Sequence, residues 1–174
     1  MTLDTVRYML DPKRAERRQD GGERELLQAF LEFQRDTVFW KLNGLTREQL
    51  TATHTPSGMS LLGLVKHLAY VERNWFQIRF LGRDLSVPWR SGRPDTSFRV
   101  APDDTAESVL DFYLSEIQES RRILAAADSL DTLAQDGKPP RSLRWIMTHM
   151  IEETARHVGH ADFMREFTDG QTGE

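Results

Sequence analysis

Residues 142–167 read SLRWIMTHMIEETARHVGHADFMREF, and as one helix they place Leu143, Ile146, Met150, Glu153, His157, His160 and Met164 at alternating spacings of three and four. Such spacing forms a single inward stripe, which belongs against other helices. Three of the seven can hold a metal ion or a proton. Burying a carboxylate and two imidazoles on a face that should be apolar costs free energy, and a cation held between them is one of the few arrangements that offsets it. A second run from Ser60, SLLGLVKHLAYVERNWF, sets His67 among apolar residues in the same way. The candidate site therefore lies between helices and consists of His67, Glu153 and His157.

The rest of the chain supplies helices for that stripe to pack on. From Glu23 onward Leu26, Leu27, Phe30, Phe33, Thr37, Val38 and Trp40 recur at helical spacing, and Asn43-Gly44 ends this first helix. Thr46 followed by Gln49 caps a short helical turn. THTPSGMS then breaks the chain, and Ser60 caps helix two, which buries Leu61, Leu64, Val65, Leu68, Val71, Trp75 and Ile78 before Gly82 stops it. Residues 83–102 are rich in Gly, Pro, Ser and Asp and read as a long loop, of a length that is functional or disordered in a compact domain. Helix three starts at Asp104 or Thr105 and reaches Ala127, with Val109, Phe112, Tyr113, Ile117 and Leu124 inward. After Gly137 and Pro139-Pro140, Ser142 caps helix four. The pattern predicts an all-α four-helix bundle with long connecting loops over residues 23–168. An arm of residues 1–22, with at most a short turn of helix, precedes it, and a tail of residues 169–174 follows.

A length of 174 residues suits one domain that buries a continuous core. The absence of cysteine removes disulfides, thiolate ligands and a cysteine nucleophile together, so any sulfur chemistry must use a thiol that arrives as a ligand. A formal charge of -4 argues against nucleic acid as a partner. The basic run from Lys13 to Arg18 is broken by Glu16 and followed by Asp20, so it reads as a solvated arm. No stretch is apolar over a bilayer's thickness, and the N-terminus lacks the pattern of a signal peptide, so the expected location is the cytoplasm, away from membranes.

Glu153 and His157 stand four apart, one helical turn, and can meet one ion, while His67 would reach it from a neighbouring helix. Two imidazoles and a carboxylate leave a coordination position open, as catalytic sites require. The set suits zinc, nickel or ferrous iron, with zinc the expectation. The structural alternatives are inward histidines hydrogen-bonded to carbonyls and a buried Glu–His ion pair. His149 and His160 fall in the same quarter of the helix as Glu153 and His157, so spacing alone does not choose among them; His160 is placed as pocket wall, His149 on the helix flank, and His54 in an exposed loop. HMIEE is not HExxH, repeated inward Glu-x-x-His pairs are absent, and no GxSxG, phosphate loop or GxGxxG occurs. These absences leave zinc proteases, di-iron bundles, serine hydrolases and nucleotide binders unsupported.

The strings WKLNGL, PSGMSLLGLVKHLAYVERNWF and SLRWIMTHMIEETARHVGHADFMRE resemble the DinB superfamily, in an uncharacterised branch similar to the mycothiol-dependent maleylpyruvate isomerase type of metal-binding bundle. The resemblance spans residues 23–167. It implies a four-helix bundle of the DinB/YfiT-like type, often homodimeric, whose metal is held by one His on helix two and a pair four apart on the last long helix. Residue by residue, those positions are His67, Glu153 and His157. Many relatives carry His where Glu153 stands and the isomerase type carries Glu, which places this chain nearer the thiol-transferase side. The implied activity is a metal-dependent transferase or isomerase that activates a small thiol, mycothiol or one like it, against an electrophilic substrate. Two alternatives use the same ligands: a noncatalytic metal-stabilised stress or accessory protein, and a metal-dependent hydrolase. Arg35, Trp40 and Arg156 are candidates to line the pocket, against a reading of core aromatic and solvated arginines.

Overall fold

The computed structural model describes residues 18–89 and 95–172. Of the expected arm, residues 1–17 lie outside the described residues, as do residues 90–94 of the long loop and 173–174 of the tail. The described residues form five α-helices: α1 (Glu23–Leu42), α2 (Arg47–Thr51), α3 (Leu61–Glu72), α4 (Ala106–Ala126) and α5 (Leu143–Asp169). The fold is all-α, and α3 runs directly into a π-helical segment, Arg73–Phe80. The short α2 adds to the four long helices, and there Thr46 Oγ1 accepts from the Gln49 backbone N–H at 3.3 Å and Gln49 Oε1 accepts from the Thr46 N–H at 2.9 Å.

Side-chain caps start α3, α4 and α5 where the sequence puts hydroxyls. Ser60 accepts from the Gly63 N–H at 3.2 Å, Thr105 from Ser108 at 3.0 Å, and Ser142 from Trp145 at 3.2 Å. Gly170, at φ 78°, ends α5 in the left-handed conformation, one residue beyond the expected boundary. The helices pack as α1 on α5, α3 on α4, and α3 on α5, which brings His67 and the middle of α5 face to face. None of the described helices is long and apolar enough to cross a membrane.

Two expected faces are corrected. In α1 the inward stripe is Leu31, Arg35, Val38, Phe39 and Leu42, whereas Phe30 is 39% exposed and Trp40 is only partly buried. The reason is charge: Arg35 is enclosed in the core by two hydrogen bonds to the Glu72 carboxylate, at 2.8 and 2.6 Å, and Ser120 Oγ donates to the same carboxylate at 2.7 Å. A stripe centred on an arginine is invisible to apolar periodicity. In the second half of helix two, α-helical counting puts Trp75 inward, but Phe76 and Phe80 are buried and Trp75 is partly exposed. The π segment bonds i to i+5, so each wide turn moves the inward position on by a residue.

Candidate metal centre

Straight-helix geometry explains where α5 puts its polar residues. At roughly 100° per residue, Leu143, Met150, Thr154 and Ala161 sit at the centre of the buried face, His157 lies near it, Glu153 falls at its edge, and His160 just past it. A strict three-and-four stripe drifts by ~20° per heptad against such a helix. Accordingly His157 is buried, the Glu153 side chain is 21% exposed, and His160 is exposed. His160 does not belong to the inward stripe that the spacing predicts. The edge position gives Glu153 a buried side toward α3 and a side toward solvent.

His67, on the facing side of α3, is buried among Leu64, Val65 and Leu68. Its Nε2 lies 3.6 Å from Glu153 Oε1, and Nε2 of His157 lies 3.3 Å from the same oxygen. One ligand atom from each of the three residues falls within 4.8 Å of the others, and this triad is the group that the described residues bring together. Contact with the His157 ring first, and then with the His67 ring, holds the Glu153 carboxyl far below the usual carboxylate range against the opposing effect of burial. Glu153 is therefore an anion at neutral pH.

The donor set and spacing fit a divalent cation. Four ligands at ~2.0–2.1 Å around a tetrahedral ion stand about 3.3–3.4 Å apart. The two N···O separations bracket that value and are long for hydrogen bonds. Three donors would leave one coordination position for a further ligand. Of the other histidines, His160 sets Nδ1 3.5 Å from His157 Nδ1, as a wall of the site. Burial, then the charges of His157 and Arg156, push its pKa below the ordinary value. His149 lies outside the triad, stacked on Trp145 at 5.1 Å and edge-on to Trp75 at 4.6 Å. His54 is exposed, 2.9 Å from Thr168 Oγ1. Arg35 is taken up by Glu72, and Arg156 is a solvated partner of Glu152 at 2.6 Å, so neither lines the site.

The long loop supplies residues that sequence reasoning missed. Ser97 Oγ is 2.7 Å from His67 Nδ1, and Asp95 Oδ1 is 2.5 Å from Ser97 Oγ. Phe98 stacks on the His67 ring at 3.9 Å and 12°, and Trp89 approaches it from the other stretch of the loop at 5.7 Å. Beyond Asp95 and Phe98 opens a cavity of about 840 Å³, whose lining includes Arg47, Arg99, Thr51 and Ser57. The sequence signals for these residues were an Asp-Thr-Ser triplet and aromatics inside an otherwise polar loop, too common to point to a site.

Comparison with curated proteins gives no match. The family model described as mycothiol S-transferase matches residues 26–170, from the start of α1 to the cap of α5, and so covers all three residues of the triad. The chain belongs to the mycothiol S-transferase family, within the DinB superfamily.

Proposed function

We propose that this protein is a metal-dependent transferase or isomerase of a low-molecular-weight thiol, mycothiol or a close analogue, with His67, Glu153 and His157 as ligands to one divalent cation, zinc by preference. The convergence of the three donor atoms is the observation that carries this proposal. A divalent cation at this site supplies one piece of chemistry: it holds an incoming thiol as thiolate at neutral pH, where a free thiol with pKa near ~8.5 is mostly protonated. The residues set the charge balance. Glu153 is anionic and the two imidazoles serve as neutral donors, so one unit of a divalent ion's charge is left to attract a single anionic sulfur. A second acidic ligand would cancel that attraction.

Access supports catalysis over a purely structural ion, because among the described residues the group holds three donors and the helix edge at Glu153 leaves one side open. His157 and His67 anchor the buried side, Phe98 and Trp89 exclude water from the His67 ring, and the 840 Å³ cavity beyond Phe98 has room for the polar body of the thiol or the electrophile. We place the working protein in the cytoplasm and assign the four long helices to a DinB-type bundle over residues 23–168. The bundle is expected to work as a homodimer that covers Phe163 and Phe167 of α5, each 65% exposed, and Phe30 of α1. Replacing Phe163 and Phe167 together by Glu is expected to convert dimer to monomer in sedimentation.

Elemental analysis of purified wild type beside His67→Ala and Glu153→Ala tests the site, followed by conjugation assays with mycothiol and a panel of electrophiles. Wild type is expected to retain about one equivalent of metal and to consume thiol, and both variants to lose both properties. Equal metal content in all three would end the ligand assignment. Metal-dependent ester or amide hydrolysis without thiol consumption would end the transferase assignment.

A further inference from the structure

We propose that Ser97 and Asp95 are positioning residues for His67, that they fix the tautomer and aim of its ring, and that Gly63 is the docking point that lets their loop reach it. The inference rests on the metal-centre reading above. Its basis is the forced direction of a short hydrogen-bond chain. An ionised carboxylate only accepts. Asp95 Oδ1 takes the backbone N–H of Ser97 at 2.9 Å and its hydroxyl at 2.5 Å. The one hydroxyl proton is thereby spent on Asp95, so Ser97 Oγ accepts from His67, and the 2.7 Å contact is Nδ1–H donating. A neutral imidazole that carries its proton on Nδ1 has its lone pair on Nε2, the nitrogen that faces Glu153 and His157. Ser97 is fully buried, so no water competes for the bond, and the stacked Phe98 ring resists rotation of the imidazole.

What brings this loop to α3 is an absent side chain. Gly63 and His67 are four apart and share a face of α3. A Cβ at residue 63 would collide with the Phe98 carbonyl oxygen, the backbone next to Ser97, and would lie 3.2 Å from the Ser60 hydroxyl that caps the helix. The loop therefore crosses α3 one turn before the ligand, at a height that only glycine allows, and from there Ser97 meets the ring. Partners of this kind commonly set metal affinity by 10- to 100-fold.

The test is zinc affinity, measured by competition with a chromophoric chelator, for wild type, His67→Ala, Ser97→Ala, Asp95→Asn and Gly63→Ala. Ser97→Ala and Gly63→Ala are expected to weaken zinc binding by about 10- to 100-fold, and Asp95→Asn, which keeps an acceptor oxygen without the charge, by less. Nitrogen-15 histidine spectra of the zinc-loaded protein add a readout that general destabilisation would not move: a slowly exchanging Nδ1 proton on His67 in wild type, lost in Ser97→Ala with helix content unchanged. Wild-type affinity and an unchanged Nδ1 proton in Ser97→Ala, while His67→Ala loses zinc, would overturn the positioning role and leave the metal centre standing. Equal, negligible zinc binding by wild type and His67→Ala would bring down both.

Discussion

Arg35 and Glu72 are each about 1% exposed, and their pairing removes two full charges from water in the middle of the helices. Breaking such a pair from one side leaves an uncompensated buried charge, whereas replacing both partners by apolar groups of similar volume does not. Glu72→Ala is thus expected to destabilise the fold by about 3–5 kcal/mol and Arg35→Met with Glu72→Leu by far less, as measured by urea unfolding. Glu32 extends this network toward solvent. Burial alone would raise its pKa, but hydrogen bonds from Arg121 and the charge of Arg35 outweigh that effect and hold it below the ordinary glutamate value. A lowered folded-state pKa means that the ionised form stabilises the fold, fully above the ordinary value, with the contribution lost as pH falls through the lowered one. Glu32→Gln should therefore cost about 1 kcal/mol at neutral pH and nothing in strong acid, a difference visible in paired denaturant titrations. These residues also mark the limit of what the chain discloses at this scale. His67, Glu153 and His157 could be proposed because a polar group on an apolar stripe stands out. The buried role of Arg35 could not, because an arginine beside Glu32 and Asp36 looks like any solvated charge until its partner on another helix is known.

At the level of helices, termini were legible and faces were less so. Ser60 and Ser142 are read from sequence as caps, and Asp104 or Thr105 as the start of helix three, because a hydroxyl or carboxylate before an apolar run satisfies orphan N–H groups locally, with no need of tertiary information. Ser142→Ala should lower stability by about 1 kcal/mol and leave zinc affinity unchanged, because the cap lies about three helical turns before Glu153. Faces depend on helix pitch. The outward turn of His160 follows from drift over the 27 residues of α5. The inward turn of Phe76 follows from π winding, which no local spacing announces. The loop between α3 and α4 was legible only as a loop, since Ser97 earns its place by contact with a residue thirty positions earlier.

For the molecule as a whole, the prediction concerns what an ion would do to stability. A ligand bound only by the folded state, at about 100 times its dissociation constant, adds ~2.7 kcal/mol. Zinc should then raise the melting temperature of wild type by about 5–10 °C and leave His67→Ala unmoved in differential scanning calorimetry. The triad joins α3 to α5, segments far apart along a chain that has no cysteine. An ion there would fasten two distant stretches as a disulfide does, yet without an oxidant, and a chelator would withdraw it. The consequence would be kinetic: detachment of α5 would have to follow release of the ion, and the lifetime of the native state would become a function of free metal in the surrounding solution.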